Sequence, residues 1–196
     1  MKSIIVKIKG ESPLLLHNGQ VANPRNQYAK SMKQISGKRK KVEADYDALA
    51  KLEWLSSLYF ASNDLVIPDY VLEATFVGGA KKSRRSPEIK AGMFFTSHAS
   101  LQFNGKPPEV NIEELEKLFA EGNHLHEAIV RVGQAKVVRT RPIFKDWECE
   151  AIAQYDPSIT NLSSLKEIAD DAGRQVGIGD WRPKYGRFAA TIEELD

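Results

Sequence analysis

Val176-Gly177-Ile178-Gly179-Asp180-Trp181-Arg182-Pro183-Lys184-Tyr185-Gly186-Arg187-Phe188 leaves a helical pattern and enters a strand pattern, and that order decides the fold. A nucleotide-binding glycine turn does the reverse: it follows a strand and opens a helix, whose N-terminus then faces the phosphate. No Gly-Lys-Ser/Thr is present either. A bound nucleotide cofactor is therefore not expected, and no other cofactor or metal is. Upstream, Asn161–Val176 reads as a helix. Asn161 or Ser163 caps it, and Leu165, Ile168, Ala169, Ala172 and Val176 form its apolar stripe. Downstream, 187–192 reads as a strand. Three further strands precede the helix, at 128–132, 135–140 and 147–155. In the last, Trp147, Cys149, Ala151, Ala153 and Tyr155 share one face by period two.

Toward the N-terminus the pattern stays mixed. Residues 3–9 alternate as a strand, and Leu14-Leu15-Leu16 ends in the turn signal His17-Asn18-Gly19. Residues 42–61 read as a helix, with Asp45 and Asp47 near the positive end of its dipole. Ile67-Pro68 precedes a second helix over about 69–82, in which Gly78-Gly79 permits a close approach. Residues 91–103 read as extended, and an acidic helix over about 111–121 follows Pro107-Pro108. The sum is α+β: an antiparallel sheet with helices covering one face. A ferredoxin-like (RRM-like) core of split βαβ units accommodates the order. One domain over 1–196 is expected, carrying a basic, mobile loop at about 20–42.

Composition narrows the function classes. The 196 residues are 42% hydrophobic and 28% charged, ordinary values for a globular chain. No apolar run approaches the ~20 residues of a membrane span, so no membrane partner is expected. The N-terminus lacks a signal-peptide core. Its one cysteine, Cys149, allows no internal disulfide, and a reducing cytoplasmic setting is expected.

The net charge of +2 hides a strong segregation. Pro24–Val42 carries Arg25, Lys30, Lys33, Lys38, Arg39, Lys40 and Lys41 and no acid; Lys81, Lys82, Arg84, Arg85 and Lys90 form a second cluster. Acids gather at 109–127. Cations that neutralise phosphates release counterions, so such clusters bind nucleic acid in a salt-dependent way. The plainer alternative is a solvated surface. Asn23, Asn26, Gln27 and Tyr28 interleave with the first cluster, a mixture suited to unpaired bases. The glycine-rich loop adds Trp181, Arg182, Lys184, Tyr185 and Arg187, which bring cations and π-faces to one place. Its own alternative is a helix cap with Trp181 and Tyr185 plugging the core. Alternation puts Arg139 and Arg141 on one strand face, where they join the expected groove.

Helix, glycine-rich loop and strand at the C-terminus resemble the signature of the CRISPR-associated RAMP superfamily. Ser12-Pro13-Leu14-Leu15-Leu16-His17-Asn18-Gly19 is similar to that family's early Ser/Thr-Pro-Leu turn, and Ile67-Pro68-Asp69-Tyr70-Val71-Leu72-Glu73-Ala74 to its Ile-Pro helix start. The arrangement looks closest to the backbone-subunit branch and to stand-alone phage-encoded proteins of the same kind. The resemblance implies a ferredoxin-like core that binds single-stranded RNA, often as a repeated subunit of a homo-oligomer, and places a nucleic-acid-facing element at 20–42.

The leading expectation is thus a non-catalytic protein that binds single-stranded RNA or DNA. Two rivals stand beside it. Some RAMP proteins cleave RNA without metal through a histidine near the first turn, and His17 occupies a compatible place, with Tyr28, Lys30 or Lys33 to stabilise the phosphate. The other rival is a protein-interaction module that imitates or caps a CRISPR-type protein partner through Trp54, Phe60 or Trp147. His124 and His126, beside Glu121 and Glu127, read as a surface loop rather than a metal site.

Overall fold

The computed structural model describes residues 1–105 and 109–195, so the Pro107-Pro108 break lies outside the described residues. In chain order the elements are β1 (Lys2–Gly10), β2 (Leu14–Leu15), α1 (Gln27–Ser36), α2 (Glu43–Ser56), β3 (Phe60–Ala61), β4 (Asp64–Ile67), α3 (Asp69–Ala80) and α4 (Ser86–Gly92), then β5 (Met93–Phe95), β6 (Ala99–Phe103), α5 (Ile112–Glu121), β7 (Leu125–Val132), β8 (Ala135–Phe144), β9 (Trp147–Tyr155), α6 (Leu162–Asp171) and β10 (Phe188–Glu194). The protein is α+β, with antiparallel strand pairing. The chain divides into two compact units: Met1–Leu14, Tyr59–Val110 and Phe144–Asp196 form the first, and Leu15–Leu58 with Asn111–Ile143 form the second.

The first unit is built on a sheet of order β10-β1-β9-β6-β4-β3, with β5 also paired to β9. Register explains its core. Ile4, Val6 and Ile8 stand opposite Ala153, Ala151 and Cys149, so one face of the two central strands is apolar along this stretch. The small residues of β9 leave room for the helices. On that face lie Leu72 and Phe76 of α3 and Leu165 and Ile168 of α6, all buried. Glycine sets how closely these layers approach. A Cβ at Gly79 would fall 2.6 Å from the carbonyl oxygen of Ile168, and one at Gly173 would fall 2.0 Å from that of Phe188. The opposite face carries Lys7 across from Glu150 and Lys9 across from Glu148, and Lys7 pairs with Glu193 at 3.1 Å.

The second unit holds the sheet β2-β8-β7 with α1, α2 and α5. Trp54 of α2 is fully buried, and its indole N–H donates to the carbonyl oxygen of His124 at 2.8 Å. Trp54 also packs edge-on against Phe119 of α5 at 5.8 Å. The α5 helix begins with a reciprocal cap: the Asn111 side chain accepts from Glu114 N, and the Glu114 carboxylate accepts from Asn111 N.

Three expectations are corrected here. The loop expected over 20–42 is largely helix: Asn26 caps α1 by accepting from Tyr28 N and Ala29 N. Residues 91–103 are not extended from the start, since Pro87 opens the short α4 and the strands begin at Met93. His124 does not sit in a surface loop. It is buried, and its ring Nδ1 donates to the carbonyl oxygen of Ile143 at 3.1 Å.

Candidate nucleic-acid interface

The glycine-rich loop of the first unit is a finger closed at its base. A π-helical turn, Ala172–Val176, follows α6 and ends at Gly177, with φ of +77°. Ile178 N donates to Gly186 O at 2.8 Å, which brings the two ends of the loop together. Ile178 itself is fully buried and anchors the finger in the core. A Cβ at Gly186 would fall 1.7 Å from the Ile178 carbonyl oxygen, so no other residue fits that crossing.

The base is then laced to the turn after β1. Gly186 N donates to Pro13 O at 2.8 Å, and Arg187 N donates to the Ser12 hydroxyl oxygen at 2.9 Å. In return, Glu11 N and Ser12 N both donate to Arg187 O. The Trp147 indole N–H donates to Ser12 O at 2.8 Å and fixes the turn from beneath. Two segments more than 170 residues apart thus form one rigid platform.

What the platform presents is aromatic and cationic. Trp181 is 38% exposed, so it does not plug the core as the alternative reading supposed. Its ring lies 6.3 Å from that of half-buried Tyr185, tilted by 36°. Lys184 places its ammonium 5.3 Å from the Tyr185 ring centre, within reach of a cation–π contact. Arg182 and Arg187 are exposed beside them, and Arg187 Nε donates to Pro183 O.

The loop lies near the start of α3. The Tyr59 phenol is pushed up to about 12 by burial first, then by the Tyr70 hydroxyl, then by the charge of Asp180. Asp180 of the loop and Tyr70 of the first turn of α3 thus both act on Tyr59. At the other end of α3, Arg85 feels Glu167 of α6. The helix is 12 residues long, about 18 Å. The cluster Lys81, Lys82, Arg84 and Arg85 follows the C-terminal end of α3, and a Cβ at Gly78 in the last turns of that helix would fall 3.0 Å from the side chain of Val176, which enters the loop. Lys81, Lys82 and Arg84 are exposed. Arg85 is not available in the same way: its guanidinium makes two hydrogen bonds to the Glu88 carboxylate, at 2.7 and 2.6 Å.

In the second unit Lys30 and Lys33 sit one turn apart on α1, both exposed. Arg25 is exposed just before the helix. Between α1 and α2 the chain turns through Lys38, Arg39, Lys40 and Lys41. Lys38 is engaged with Asp45, which also accepts from Val42 N, so it serves the start of α2. The two bonds hold the Asp45 carboxyl below its ordinary value. Lys41 donates to Lys38 O. Arg39 and Lys40 are exposed. Arg139 is drawn off by Glu53 at 2.7 Å, and the same carboxylate accepts from Thr140 N. Arg141 is half-buried next along the same face. His17 is exposed two residues after the end of β2, beyond the buried Leu16. Of the aromatic residues considered for a protein interface, Trp54 and Trp147 belong to the two cores, whereas Phe60 is 41% exposed.

The sequence did not mark the lacing of Ser12 and Pro13 to the loop, nor that Tyr70 and Asp180 both act on Tyr59. Paired glycines at 177 and 186 were the available signal, because a loop pinched at both ends needs a partner segment at its neck. Among known proteins, no family model matches the chain and no curated sequence does.

Proposed function

We propose that the protein binds single-stranded nucleic acid, RNA in preference to DNA, without cleaving it, and that its first unit is a ferredoxin-like core of the RAMP kind. The succession β1, α3, β6, β9, α6, β10, with the sheet ordered β10-β1-β9-β6, supports the ferredoxin-like reading. The observation that carries the binding reading is the laced finger with Trp181, Tyr185 and Lys184 at its exposed end. A rigid neck lowers the entropy lost when a base stacks on the tip. The open face of the sheet is a poorer platform. RNA-binding sheets of this shape stack bases on aromatic residues, and here the central strands offer alternating lysine and glutamate. Binding therefore rests on the loop, with Lys81, Lys82 and Arg84 of the same unit supplying phosphate contacts; Arg39 and Lys40 are a separate basic stretch of the second unit. RNA over DNA follows from the resemblance.

Titration of the nuclease-treated protein with labelled single-stranded RNA and DNA at several salt concentrations tests this. Trp181→Ala is expected to weaken binding about tenfold, the worth of one stacked base. Replacing Lys81, Lys82 and Arg84 by alanine together is expected to flatten the log–log salt slope by about two. Weak binding that ignores salt, or full affinity in Trp181→Ala, overturns the proposal.

A further inference from the structure

The β7–β8 hairpin carries an exposed apolar pair that the binding reading does not use. Ile129 stands directly opposite Val138, and the two are 72% and 59% exposed. One edge of β7 has no strand partner among the described residues, because β7 ends the order β2-β8-β7. The backbone phase of that edge follows from β8. Thr140 N donates to Glu53, away from β7, although Thr140 is the register partner of Glu127. Thr140 and Glu127 therefore form a non-hydrogen-bonded pair, and Glu127 turns its N–H and C=O outward. By alternation Ile129 and Arg131 do the same. Their side chains also share one face.

We propose that β7 pairs antiparallel with β7 of a second copy about a two-fold axis at Ile129. This register sets Ile129 against its own copy and each Glu127 against Arg131 of the other chain, with about six backbone hydrogen bonds. The charges are self-complementary about that centre. Arg131 faces the like charge of Lys136 across its own hairpin, an unfavourable pair. Glu127 of the second copy enters the same row and relieves it. The apolar row becomes Val138, Ile129, Ile129, Val138 across four strands. One strand pair is a small interface, so association in the micromolar range is expected. This inference is independent of nucleic-acid binding.

Sedimentation equilibrium of the full, nucleic-acid-free chain from about 1 to 200 μM is the test, over the range a small interface requires. A monomer–dimer equilibrium is expected. Ile129→Lys should abolish it with an unchanged melting temperature, since the side chain is mostly exposed. Glu127→Arg and Arg131→Glu should each weaken self-association about tenfold, because the two-fold axis doubles each repulsion. Mixing these two variants should restore the pair, as a heterodimer. A monomer throughout the range, a dimer that survives Ile129→Lys, or single variants that do not rescue each other overturns the proposal.

Discussion

Gly186 shows how little freedom a single position has. Its φ is +72°, and an added methyl would overlap the Ile178 carbonyl. Gly186→Ala is expected to cost about 2–4 kcal/mol, from left-handed strain plus displacement of the loop neck. The midpoint of urea denaturation measures it. Trp147 makes a different case: it fills the space over Gly10 and donates to Ser12 O. Trp147→Phe keeps most of the burial, removes the donor and leaves Ser12 O without that bond, an expected loss of about 1–3 kcal/mol in the same assay. The glycines and Trp147 stood out in the sequence. Ser12 and Pro13, their partners, read as a turn and as the start of the Ser-Pro-Leu motif but not as the loop's anchor, because a backbone carbonyl that accepts a distant N–H leaves no trace in side-chain pattern.

At the scale of elements, strands and helices with a fully buried stripe were legible. β1, β9, α3, α5 and α6 fall within a few residues of the expected spans. The α1 helix was not, and its physics explains why. Tyr28, Met32 and Ile35 do keep helical spacing, but α1 has no fully buried residue, and cations fill the remaining faces. A half-buried stripe among lysines reads as no stripe. The α4 helix was missed because seven residues give barely two turns of period. Its start is held by Arg85 and Glu88, and that pair predicts a pH effect. The guanidinium hydrogen bonds, the largest cause, hold the Glu88 carboxyl below its ordinary value of 4.5. A depressed carboxyl contributes stability above its unfolded pKa, and the contribution fades as pH falls through the lower folded value. Wild type should therefore lose stability below about pH 4.5 more steeply than Glu88→Gln, as followed by urea midpoints between pH 3 and 7.

For the whole molecule, α+β character was readable, yet the division into two units was not. The basic segment at 20–42 marked one piece inserted into the first unit; nothing local marked 111–143 as its companion. Long-range partnership of that kind is set by complementary surfaces rather than by period. Cys149 gives a reporter for one unit alone. Burial pushes its thiol up, with Glu148 and Glu150 adding to the shift. It should resist alkylation in the native protein and react in step with the unfolding of the first unit, which a thiol reagent followed through a urea series would reveal. Reaction at the rate of a free thiol in native buffer would contradict the burial. The sheet order has one more outcome, in the time domain of synthesis. β1 bonds to β9 and β10 on its two sides, and β9 begins at Trp147. At ~5–20 residues per second a ribosome takes roughly ten seconds or more to deliver those neighbours. The second unit, whose segments end at Ile143, is out first. Newly made Ile4, Val6 and Ile8 therefore wait without their strand partners until the last quarter of the chain is made.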